Sequence, residues 1–178
     1  VKAMEMEIGT CWIDILEEKR VDLKSALKID IEGEIAAIVA LGYPKTNIFG
    51  IEIPLTGRKS IEEFVYKKSW GELMSLGELS QRGLQDVFYY VRYAPSWGNI
   101  QPWKFIIDDY RLILTMHQEK EDKVLEDHDL ECGIMMLYIE KMMHSQGISG
   151  KWTLNIGDID SEEYKIPESY KVMGWFPI

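Results

Sequence analysis

Ala94-Pro95-Ser96-Trp97-Gly98-Asn99-Ile100-Gln101-Pro102-Trp103 gathers two amides, a hydroxyl and two indoles into one short segment. Upstream, Leu84, Val87, Phe88 and Val91 fall at helical spacing, which predicts a helix over 80–93 that Pro95 cannot continue. Downstream, Lys104-Phe105-Ile106-Ile107-Asp108 reads as a buried strand. Helix, turn and strand in that order would hold Ser96, Asn99 and Gln101 in fixed positions. Each amide offers a donor and an acceptor, which complements a flat heterocycle whose edge alternates N–H and C=O, such as a flavin pyrimidine ring. The same residues also suit a plain loop in which Asn99 and Gln101 close the turn and Trp97 and Trp103 fill core, because Gly and Asn are ordinary turn residues.

The decapeptide resembles the A-P-S-x-x-N-x-Q-P-W signature of the nitroreductase-like FMN flavoproteins, with Pro95, Ser96, Asn99 and Gln101 at its fixed positions. Gly9-Thr10-Cys11-Trp12-Ile13 is similar to the G-T-C-W-I turn of that family. Ala40-Leu41-Gly42-Tyr43-Pro44 and Arg58-Lys59-Ser60-Ile61-Glu62-Glu63 are similar to its A-L-G-Y-P and R-K-P-L-E-E segments, with Ser60 for Pro and Ile61 for Leu. The resemblance implies an α+β fold with a mainly antiparallel central sheet flanked by helices. It also implies non-covalent FMN, with NAD(P)H and then a nitroaromatic, quinone or similar planar acceptor using one pocket in turn. In that picture the backbone of Gly9, Thr10, Cys11 and Trp12 lies near flavin N5, Arg58 and Lys59 hold the phosphate, and Pro95, Ser96, Asn99 and Gln101 surround the ring. No side chain is expected to act as acid or base.

The order of the motifs is reversed relative to ordinary members, which carry the A-P-S-x-x-N turn first and are homodimers with shared sites. The arrangement resembles a subfamily with two degenerate halves fused in tandem, here 1–75 and 76–178 of a single domain, so one chain could build its site internally as a monomer. A weak repeat agrees: Val172-Met173-Gly174-Trp175-Phe176-Pro177 echoes Val39 to Pro44, its glycine 132 residues further on. Ile148 to Trp152 echoes Ile8 to Trp12 more faintly, its tryptophan 140 residues further on. Val1 to Ile8 reads as the last turns of a helix without a start signal. We therefore expect an N-terminal portion, which in the family includes an Arg-rich segment at the flavin phosphate, to be separate or missing.

Composition sets the outer limits. The 178 residues are 46% apolar and 28% charged, enough to bury a core. A net charge of -10 argues against nucleic-acid or anionic-membrane partners. No apolar run approaches the roughly 18 residues of a membrane span. Cys11 and Cys132 provide no disulfide framework, which suits a reducing compartment, and we expect a cytoplasmic protein. His117, His128 and His144 lack ligand spacing, so no metal is expected. No dinucleotide fingerprint, phosphate loop or nucleophile elbow is present.

Against this acidic background, 45–68 is a basic island with five basic and three acidic residues. Arg58 and Lys59 precede Ile61, Phe64 and Val65, which read as an amphipathic helix, so the pair would sit at a helix start that also favours an anion. A solvated surface pair is the alternative. Asp14 stands where many relatives have Gly, and its charge bears on reduction of the ring. Glu119 to Asp129 reads as a charged loop or helix start, and Leu130, Ile134, Leu137, Tyr138 and Met142 as the buried face of a helix, with the nearby methionines filling core. A flavin-binding sensor or carrier without NAD(P)H turnover is the second reading of the whole.

Overall fold

A computed structural model of the chain describes residues 2–13, 15, 17–43, 57–118, 128–154, 157 and 159–178. The chain forms two compact units, Val1–Thr56 and Gly57–Ile178. Asp14, Pro44, Lys45 and most of 119–129 lie outside the described residues, and with them the readings attached to those positions.

In the first unit a short helix α1 (Lys2–Glu5) leads into strand β1 (Gly9–Ile13), followed by α2 (Glu17–Ala26) and β2 (Ile38–Gly42). β1 and β2 pair antiparallel, with Gly9 opposite Gly42, Cys11 opposite Ala40 and Ile13 opposite Ile38. The segment Gly9 to Trp12, expected as a turn, is therefore extended. Thr10, Trp12 and Ile13 are β-branched or aromatic, and Ile38 and Val39 supply a matching partner strand.

The second unit is a four-stranded sheet in the order β3 (Val65–Lys67), β4 (Trp103–Ile107), β5 (Arg111–His117) and β6 (Tyr170–Pro177). β3 runs parallel to β4, and the other pairs are antiparallel. Leu112 to Met116 of β5 are all buried, apolar apart from Thr115, as in an inner strand covered on both faces. Asp108 Oδ1 accepts the backbone N–H of Tyr110 and Arg111, closing the β4–β5 hairpin.

One sheet face packs on helices α3 (Leu76–Gln81), α4 (Gln85–Val91) and α5 (Asp129–Ser145). Phe64, Phe88 and Phe105 meet there, the last two edge to face at 5.3 Å. Met135 and Met143 are fully buried in this core and Met136 and Met142 pack against it, as core filling requires. The other face carries Tyr66, Ile106, Ile113 and Val172 of the sheet, with Ile159 and Tyr164 clustered with them.

Two local expectations are corrected. The helix drawn over 80–93 is two helices: α3 starts in a Ser75–Glu78 capping box and ends at Arg82, and α4 begins only at Gln85. Gly83, at φ 70°, turns the chain between them. The amphipathic helix after Arg58-Lys59 is a single 3₁₀ turn, Ile61–Glu63, followed at once by β3. Ser60-x-x-Glu63 is a capping-box signature, but pairing of Val65 to Lys67 with β4 takes the chain into the sheet after one turn.

The two segments read as a repeat from the sequence both contain strands. β2 pairs antiparallel with β1, and Trp175 of β6 forms an antiparallel bridge with Thr153, just after the second echo.

Candidate functional site

Within the second unit, α4 ends at Val91 and the chain descends through Ala94 and Pro95 to Ser96, the residue before a 3₁₀ turn Trp97–Asn99. The backbone is left-handed at Gly98, Asn99 and Gln101, with φ of 53°, 58° and 51°. Outside glycine that conformation is costly and persists only where surrounding bonds over-determine it.

The bonds are supplied by residues 57–59. Gln101 is 2% exposed, and both of its amide donors are used. Oε1 accepts the Lys59 backbone N–H at 2.9 Å, while Nε2 donates to Gly57 O at 3.0 Å and Asn99 O at 3.1 Å. Asn99 Nδ2 donates to the same Gly57 carbonyl at 3.1 Å. Lys59 Nζ donates to the carbonyls of Ile100 and Gln101 at 3.0 and 2.9 Å. Arg58 Nη1 donates to Ala94 O at 2.8 Å. Ser96 Oγ accepts the Gln101 N–H at 3.0 Å, closing the turn on itself.

Gly57 is required at this joint. Its φ of 82° is left-handed, and a Cβ there would sit 3.4 Å from Asn99 Nδ2.

The structure thus brings Arg58, Lys59, Pro95, Ser96, Asn99 and Gln101 together in one unit. It places Gly9, Thr10, Cys11 and Trp12 on β1 of the other. Trp97, 39% exposed, stands at the turn, whereas Trp103 is fully buried and fills core.

Two cations, Arg58 and Lys59, stand beside the turn. Among the described residues neither Arg58 nor Lys59 has a carboxylate within 4.0 Å, and a guanidinium and an ammonium hold more N–H groups than these carbonyl bonds use. Partial burial holds both below their ordinary values, with Tyr138 and Tyr93 opposing this for Arg58 and Glu63 for Lys59. Lys104 is likewise lowered, first by burial and then by Lys59. Its ammonium donates to the Glu63 carbonyl. The helix start expected here is a single 3₁₀ turn, and the N–H of its N-cap Ser60 is taken by the Glu63 carboxylate. What remains for an anion is the side-chain donors themselves.

Sequence reasoning missed Glu131. This α5 residue is 5% exposed, and its Oε1 accepts the Trp97 N–H at 3.1 Å. Its Oε2 lies 3.8 Å from His128 Nδ1. Burial pushes the carboxyl upward, but the His128 and Trp97 interactions outweigh it and leave the group below its ordinary value. Only the acidic residue on the apolar face of the helix could have signalled it.

The antiparallel-rich α+β unit with its pinned polar turn defines a nitroreductase-like fold. The sequence matches, over residues 1–143, the family described as "Putative TM nitroreductase", and the chain belongs to that family. A crystal structure from Thermotoga maritima, described as a "putative nitroreductase", aligns with 97% of this chain at a TM-score of 0.50 and 18% identity. The chain spans just over half, 56%, of that protein's length. The comparison with curated proteins finds no match. No described helix is long and apolar enough to cross a membrane.

Proposed function

We propose that this chain forms the flavin-holding part of an FMN-dependent oxidoreductase that uses NAD(P)H to reduce a nitroaromatic, quinone or similar planar acceptor. The observation that carries the reading is the joint between 57–59 and 94–101: a strained polar turn, over-determined by six hydrogen bonds across the joint, with two cations beside it that have no described carboxylate within 4.0 Å. That donor set fits an anionic, planar cofactor. When bound, FMN supplies the two-electron chemistry, accepting hydride at N5 and passing electrons on, which is the cofactor's own capacity.

The residues divide into those that hold the turn and those that face a ligand. Gln101 has no amide donor left to give, so it positions the turn. Asn99 keeps Oδ1 as an acceptor, and Ser96 keeps its hydroxyl proton. Arg58 and Lys59 keep the remaining N–H groups for a phosphate, and a partly dehydrated cation gains more from an anion than a solvated one. Because Arg58 and the turn are bonded within one chain, this part of the site does not require a second copy, which supports the monomer reading.

Fluorescence titration of the apoprotein with FMN tests the assignment. Wild type is expected to quench flavin emission on binding, and Arg58→Ala and Lys59→Ala each to weaken affinity by about tenfold or more, the worth of one charge-assisted hydrogen bond. Absence of binding by wild type would count against the reading. Unchanged affinity in both variants would move the phosphate elsewhere.

A further inference from the structure

Three polar or charged side chains are buried among the described residues: Gln101, Thr115 and Glu131. Thr115 is accounted for by its bond to Lys104 O within the β4–β5 ladder, and Gln101 by the joint described above. Glu131 is different. It lies in the first turn of α5, next to core residues Cys132, Ile134 and Met135, where an apolar side chain would pack without the expense of dehydrating a carboxylate.

What the carboxylate does there is specific. The N–H of Trp97 opens the 3₁₀ turn and, like any leading helical N–H, has no partner within its own turn. Glu131 Oε1 accepts it at 3.1 Å across a sequence separation of 34 residues. The far end of the same turn is held by Gln101 on residues 57 and 59. The turn is therefore gripped at both ends by different elements, α5 at Trp97 and the 57–59 segment at Gln101. Trp97, Gly98 and Asn99 lie between the grips, and the last two have left-handed backbone.

We propose that Glu131 is a positioning residue for the ligand turn, its buried carboxylate fixing Trp97 and thereby the conformation in which Asn99 and Ser96 face a ligand. That the ligand is a flavin rests on the function proposed above; the grip on the turn does not.

Hydrogen exchange of the turn amides, measured on the full chain without flavin, separates the two claims, with FMN titration as the second readout. Glu131→Leu removes the acceptor and keeps an apolar volume. Glu131→Gln keeps a carbonyl that can still accept the Trp97 N–H. Met135→Ala serves as the control, since it opens a cavity on the same helix and removes no hydrogen bond to the turn. Glu131→Leu is expected to accelerate exchange at Trp97, Gly98 and Asn99 at least tenfold relative to the β4 and β5 amides and to weaken FMN binding by about tenfold. Glu131→Gln should recover most of both, and Met135→Ala should lower the melting temperature while changing neither. Unchanged turn exchange in Glu131→Leu overturns the proposal. So does faster exchange with unaltered FMN affinity, because the turn's conformation would then be irrelevant to binding. If wild type takes up no FMN, the flavin reading fails, and the exchange pattern alone decides whether Glu131 holds the turn.

Discussion

Replacing Gln101 with alanine removes three hydrogen bonds at once, from Lys59 N–H and to Gly57 O and Asn99 O, at 2.9, 3.0 and 3.1 Å. Each is worth about 1 kcal/mol net. Gly57 O keeps Asn99 Nδ2, so part of the penalty is relieved, and we expect a loss of about 2–3 kcal/mol. The backbone does not change this balance, because alanine at φ 51° is strained as glutamine already is. Urea denaturation without flavin is the assay, read as a lower midpoint at unchanged m-value. Flavin must be absent, since a residue that only contacts the ligand would then cost nothing. Gln101→Glu sharpens the test. Its carboxylate can still accept from Lys59 but sets oxygen against the Gly57 and Asn99 carbonyls, so it should be destabilising at neutral pH and recover as acid protonates it and restores one donor. A loss below about 0.5 kcal/mol for Gln101→Ala would refute the bracing role.

Gly57→Ala places a Cβ at φ 82° and 3.4 Å from Asn99 Nδ2, and should cost about 1–2 kcal/mol in the same assay while weakening FMN binding; a neutral outcome would show that the joint relaxes freely. Tyr164, pushed up to about 12 from an ordinary 10.0 by burial and by its hydrogen bond to Asp108, holds its proton more tightly when folded. Its contribution is therefore complete below pH 10 and lost as pH rises toward 12, so Tyr164→Phe should be less stable at pH 8 and lose less stability across that window; equal slopes in a pH series of denaturation midpoints would contradict this. Burial, reinforced by Asp129 and Glu131, pushes the Cys132 thiol up to about 12, whereas Cys11 is exposed, so a thiol reagent should titrate one cysteine quickly in the native chain and the second only in denaturant.

Much of the fold was legible where local signals and tertiary pairing agree. The run after Pro102 becomes a buried inner strand, and α4 ends at Val91, ahead of Pro95, whose missing N–H and ring bar a helix from running through it. The 130–142 pattern becomes part of α5, but Leu137 and Tyr138, read as buried, are exposed there. Reading failed where a short-range signal was overridden. Ser60-x-x-Glu63 does cap a turn, yet Val65 to Lys67 find β4 instead of continuing a helix. Gly83 turns the chain just ahead of the apolar positions Leu84 to Val91, so the helix drawn from residue 80 begins only at Gln85. At the site, residue type was informative and residue role was not. Asn99 and Gln101 were conspicuous as amides, but whether an amide faces a ligand or its own backbone depends on where 57–59 lies, 42 and 44 residues away. Glu131 was hidden for a related reason: a carboxylate in the first turn of a helix is ordinary by sequence, and only the approach of Trp97 gives it a task.

The proposed reduction of a flavin at this turn is tested most directly by a visible absorption spectrum, taken after reconstitution with FMN and again after anaerobic addition of NADPH. We predict the bands of bound oxidised flavin, bleaching with NADPH and returning when a quinone is added. Bands that persist would make the chain a flavin-binding module without turnover, and no flavin bands at all would contradict the account.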